Sequence, residues 1–130
     1  MSNNSAVGQF AMGNNAGGNN NTAVGNAALF DNTSGSANTS IGKSALQYSR
    51  GNNNTAVGSS TLVSNTSGRN NVAIGVNSML YNSAGDNNTA IGALSLYKNT
   101  ASNNTAVGFC ALRSNTTGCQ KIEIGLNCGI

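Results

Sequence analysis

A β-branched residue followed by glycine recurs through the whole chain: Val7-Gly8, Val24-Gly25, Ile41-Gly42, Val57-Gly58, Ile74-Gly75, Ile91-Gly92, Val107-Gly108 and Ile124-Gly125. The intervals are 17, 17, 16, 17, 17, 16 and 17 residues. Eight units at so constant a period define a repeat architecture and override any reading of the chain as an ordinary globular fold. Residues 1–130 form one repeat domain, with coils 1 to 8 anchored at Val7, Val24, Ile41, Val57, Ile74, Ile91, Val107 and Ile124.

Each unit obeys the same grammar. Three places before the anchor stands asparagine, from Asn4 to Asn104, until Lys121 breaks the column. The residue before the anchor is small, Ala or Ser, until Glu123. Five places after the anchor comes Leu or Met, and a turn such as "NTSG" or "NTTG" follows. The "NTAVG" run places a β-branched residue at every second position between Asn and Gly, the pattern of a short strand. The glycine after the anchor permits a corner, and the Ala-Leu segment beyond it is expected to form a second short strand.

No ten-residue stretch escapes Gly or clustered Asn, Ser and Thr, which argues against helix. About 17 residues suit one turn of a solenoid. The expected fold is therefore all-β, a parallel β-roll of eight 16–17-residue coils. At about 4.8 Å per coil it makes a rod roughly 35–40 Å long. The one-residue deletions fall in the turns at 48–52 and 98–104, where no stripe is interrupted.

Stacking brings the same position of every coil into one column. Val24, Ile41, Val57, Ile74, Ile91 and Val107 are expected to form one buried stripe, and Leu29, Leu46, Leu62, Leu96 and Leu112 another. Asn columns can pass amide hydrogen bonds from coil to coil. The last coil departs from the pattern at Lys121 and Glu123, as a cap or a junction does.

Composition narrows the chemistry. Only 7% of residues are charged and none is His, Pro or Trp. Without His, Ser-His and Cys-His nucleophile arrangements cannot form. The acids Asp31, Asp86 and Glu123 belong to different coils and make no close carboxylate pair. The chain is read as no enzyme, with no cofactor and no metal. The six bases are scattered, which argues against nucleic acid, and no apolar run approaches the roughly 20 residues of a membrane span.

Cys110, Cys119 and Cys128 are nine apart. Cys110 and Cys128 either fill small positions or form a disulfide that staples the last coils, leaving one thiol over. Nine Asn-X-Ser/Thr sequons, Asn20, Asn53, Asn87 and Asn103 among them, read as by-products of the stacking grammar. Just past the Leu/Met column, Tyr48, Tyr81, Tyr97, Lys98 and Arg113 occupy positions the grammar leaves free. They are candidates either for an outward ligand surface or for packing between subunits.

The "NTAVG…AL…NTSG" unit resembles the head repeats of trimeric autotransporter adhesins, and more closely the related repeats of phage and giant-virus tail or surface fibres. The resemblance implies a left-handed parallel β-roll, three chains in a trimer, and attachment to a host-surface glycan or matrix protein. It implies an extracellular place, on a virion fibre or a bacterial cell surface. The adhesin repeat is typically shorter, and no neck, stalk or anchor motif accompanies it. Two other functions suit such a rod. One is a mechanical spacer of a viral fibre without its own receptor site. The other is an ice-binding solenoid using the column Thr22, Thr39, Thr55, Thr89 and Thr105, interrupted by Val72.

Overall fold

The computed structural model describes residues 2–126. Eight three-residue strands follow one another: β1 (Ser5–Val7), β2 (Thr22–Val24), β3 (Thr39–Ile41), β4 (Thr55–Val57), β5 (Val72–Ile74), β6 (Thr89–Ile91), β7 (Thr105–Val107) and β8 (Ile122–Ile124). They form one parallel sheet in sequence order. Anchor pairs with anchor at every step, from Val7↔Val24 to Val107↔Ile124. The register survives both 16-residue coils, where Ile41 faces Val57 and Ile91 faces Val107. The chain is an all-β, parallel β-solenoid, and the described residues include no helix.

The segment after the corner is not a second strand. It is a chain of turns, because two of its residues take the left-handed conformation. Ala27 and Leu29 have φ of 54° and 51°, Ser60 and Leu62 have 55° and 52°, and other coils repeat the pair. A third left-handed residue, such as Asn53, Asn70 or Asn87, precedes the next strand. Such a conformation costs an L-residue about 1–2 kcal/mol. It also reverses the backbone, so that amides point alternately to the coil on either side. Ala27 N–H donates to Gln9 of the preceding coil at 2.9 Å, and Leu29 N–H to Ala45 of the following coil at 2.9 Å. Intercoil bonding on both sides offsets the strain.

The interior is narrow. The middle residue of each strand points inward: Ala23, Ala56, Ala73, Ala90 and Ala106 are fully buried, as is Ser40. Leu29, Leu46, Leu62, Met79 and Leu96 fill the space opposite, and Leu112 packs against this core from its end. Beside them runs a small-residue column of Ala28, Ala45, Thr61, Ser78, Ser95 and Ala111. Its hydroxyls are satisfied internally; Thr61 donates to Gly75 O at 2.7 Å, and Ser78 and Ser95 share a bond of 2.9 Å.

The anchors themselves lie on the other side of the strand, which corrects the expected buried Val/Ile stripe. Val24 is 38% exposed, Ile41 40%, Ile74 39% and Ile91 39%, while Val57 and Val107 are half-buried. Alternation along Thr-Ala-Val leaves one face for Ala and the other for Thr and Val. The sheet approaches the Leu/Met column so closely that only the Ala face fits inside.

The corner glycines are fixed by both conformation and space. Gly75 has φ of 130°, and a Cβ there would lie 2.6 Å from the backbone carbon of Gly92 in the next coil.

Candidate functional surfaces

Two asparagine ladders hold the coils in register. In the first, each backbone N–H donates to the side-chain oxygen of the preceding asparagine. Asn38 N–H reaches Asn21 Oδ1 at 2.9 Å, Asn71 N–H reaches Asn54 Oδ1 at 3.0 Å, and Asn104 N–H reaches Asn88 Oδ1 at 2.9 Å. The amide nitrogen turns to a turn carbonyl, as from Asn54 to Gly68 at 2.9 Å. The expected column of amide bonds is therefore present, with side chain bonding backbone at each rung.

The second ladder lies eight places after the anchor and is the buried element the sequence reading treated as turn. Asn32 Nδ2 donates to Asn15 Oδ1 at 2.7 Å, Asn82 to Asn65 at 3.2 Å, and Asn115 to Asn99 at 2.8 Å. Asn32, Asn65, Asn82 and Asn99 are fully buried. Their constant distance from the anchor was the available signal. The exposed sequon residues Asn20, Asn53, Asn87 and Asn103 sit instead at left-handed corners, with φ of 57–63°.

The strand face turns two columns outward. One is the Val/Ile column. The other is Ser5, Thr22, Thr39, Thr55, Val72, Thr89 and Thr105, two residues earlier on the same side. The neighbour of each Thr on this face is thus an aliphatic anchor, and not the Asn or Ala adjacent in sequence. Phe109 and Val76, just beyond the corner, add 46% and 50% exposed side chains near this face.

The variable column past the Leu/Met stripe forms a second surface. Tyr48 and Tyr81 are 46% and 50% exposed, Lys98 is exposed, and Tyr97 and Arg113 are half-buried. The structure brings three of these together. The rings of Tyr81 and Tyr97 meet edge to face, 5.2 Å between centroids at 84°, and the Arg113 guanidinium lies 5.6 Å from the centre of the Tyr97 ring. Hydrogen bonding with the Tyr81 phenol and partial burial raise the Tyr97 hydroxyl above the usual tyrosine range, against the opposing charge of Arg113. Tyr48 lies two coils away beside Gln47, whose amide donates to its hydroxyl at 3.2 Å.

On coil 8 a side chain makes one of the intercoil bonds. From Met12 to Leu96, the N–H of each Leu/Met residue donates to a carbonyl of the next coil. Leu112 N–H donates instead to Glu123 Oε2 at 3.2 Å. Glu123 thus supplies the acceptor that another coil supplies elsewhere, and lines an open cleft with Ser114, Asn115, Thr116 and Lys121.

Cys110 is buried and Cys119 exposed; a bridge from Cys110 to Cys128 involves a residue outside those described. Among the described residues no group of three or more His, Cys, Asp or Glu is placed to hold a metal. Among the described residues no helix is long and apolar enough to cross a membrane. No family model, curated protein or solved structure matches the chain.

Proposed function

We propose that this chain is a non-catalytic attachment module, a head or shaft segment of a trimeric fibre or adhesin that holds to a glycan or matrix polymer on a host surface. The observation that carries the reading is the continuous outward column of Val and Ile anchors. Contiguous exposed apolar surface marks an interaction site, and this one repeats at every coil with no polar break in residues 7 to 124. A partner whose surface has the same pitch covers it, and a copy of the same chain has that pitch by construction. Three copies are the number the resemblance to fibre and adhesin repeats implies. Three parallel rods also multiply any weak contact on their outer surfaces, so that shallow sites gain by avidity.

The test compares the protein with Ile74→Lys, which places a charge in the apolar column. Both are applied to immobilised glycans and matrix proteins. Retention of the parent protein and loss with the variant support an attachment module that works as an oligomer. A stable trimer that adheres to nothing favours the spacer reading instead.

A second reading draws on the same face. Thr and aliphatic columns side by side on a regular parallel sheet suit an ice-binding surface, which requires that the face stay open to water. A monomeric protein with thermal hysteresis selects it.

A further inference from the structure

Building on the attachment reading, we infer that Tyr81, Tyr97, Lys98 and Arg113 form a subsite for an anionic polysaccharide. The stacking grammar does not demand these residues. The same two columns elsewhere hold Gly13, Val63 and Leu80, and Asn14 and Ser64. Yet two of the three tyrosines of the chain and two of its six bases gather on coils 5 to 7.

Neither cation of this cluster has an acid partner among the described residues. The Arg113 guanidinium is positioned by the Tyr97 ring, and its Nε has no hydrogen-bond partner. Among the described residues the one ion pair is Arg50 with Asp31, on coils 2 and 3. The other two acids are engaged elsewhere: Asp86 accepts the Arg69 N–H at 2.7 Å, and Glu123 accepts the Leu112 N–H. Lys98 is on the coil before Arg113, its backbone N–H donating to the Arg113 carbonyl at 3.2 Å. An exposed Lys98 and a half-buried Arg113 on neighbouring coils, neither paired with an acid, therefore share this part of the rod with the exposed Tyr81.

This combination fits a sugar carrying carboxylate or sulfate. The ring of Tyr81 offers an apolar face to the C–H side of a pyranose, and the phenols offer bonds to its hydroxyls. Arg113 and Lys98 take the acid group, the guanidinium in bidentate fashion. Three coils span about 10 Å, the length of two or three sugar units. A nucleic acid is a poorer fit, because its affinity requires many phosphate contacts and a longer basic stripe.

The experiment measures binding of heparin and hyaluronan oligosaccharides, with dextran as the neutral control, by calorimetry. Variants are Arg113→Gln, Arg113→Lys, Tyr81→Ala and the distant control Lys43→Gln, each checked for unchanged solution mass. The expected result is saturable binding of at least one anionic polymer and none of dextran. Affinity falls on the order of tenfold in Arg113→Gln and Tyr81→Ala, less in Arg113→Lys, and stays unchanged in Lys43→Gln. Equal losses in Arg113→Gln and Lys43→Gln mean diffuse charge attraction and overturn the subsite. Absence of binding to both anionic polymers overturns it too. Adhesion of the parent protein to other surfaces then decides the attachment reading separately.

Discussion

Asn71 donates its backbone N–H to Oδ1 of Asn54 at 3.0 Å and its side-chain amide to the same oxygen at 3.1 Å, both residues being fully buried. The amide of Asn71 also reaches Gly85 O at 2.8 Å, and its own Oδ1 accepts from Asn88 N–H at 2.9 Å. One side chain thus ties three successive coils.

Asn71→Ala strands the N–H of Asn88 without a partner in the interior, while Gly85 O keeps only the Asn82 amide at 2.9 Å. At about 1–3 kcal/mol for a buried unsatisfied group, with the lost amide bonds added, the variant loses roughly 2–4 kcal/mol. Asn70→Ala, one residue earlier and exposed, removes a surface bond to Asn87 and leaves Ala at φ of 57°, and costs about 1–2 kcal/mol. Urea unfolding of the two variants side by side checks the contrast.

Two backbone positions respond with opposite sign. Gly75→Ala forces a Cβ against the backbone of Gly92 and Ala93 at φ of 130°, and loses more than about 3 kcal/mol. Ala37, at φ of 56°, is exposed in a column that elsewhere carries Asn20, Asn53, Asn70, Asn87 and Asn103. Asn tolerates the left-handed region better than Ala, so Ala37→Asn gains about 0.5–1 kcal/mol. Thermal melts of both variants show the two shifts.

Tyr97 gives a pH signature. Its hydroxyl is raised by hydrogen bonding with Tyr81 and by partial burial. A raised folded value means that the folded chain holds this proton longer than the unfolded chain. The associated stability is complete below the ordinary tyrosine range and is lost as pH rises through the folded value. Ultraviolet titration should show a late-ionising phenol that disappears in Tyr97→Phe. Loss of a phenol that ionises within the ordinary tyrosine range contradicts the Tyr81–Tyr97 pairing.

The period, strand positions, corner glycines and first Asn ladder are legible because each is a column of like residues at constant spacing. The facing of the strand is not. Thr-Ala-Val is apolar at two adjacent positions, and size suggests burying Val24 rather than Ala23. The interior reverses that choice because the Leu/Met column already fills it. The missing second strand has a related cause: left-handed Leu29 or Leu62 contradicts local propensity, and only intercoil bonding makes it tenable. The second ladder was hidden because Asn32-Thr33-Ser34-Gly35 carries the residues of a surface turn while Asn32 and Gly35 are buried. Of the candidate ligand column, its outward character was legible. The Tyr81–Tyr97–Arg113 contact depends on adjacent columns meeting across coils, which spacing alone does not specify.

The most direct measurement is the solution mass of the protein and of Ile74→Lys by light scattering across a range of concentrations. The account predicts a stable species at three times 13.0 kDa for the parent chain and a folded 13.0 kDa monomer for the variant. A parent chain that stays monomeric at every concentration contradicts it, and leaves the Val/Ile face open to water.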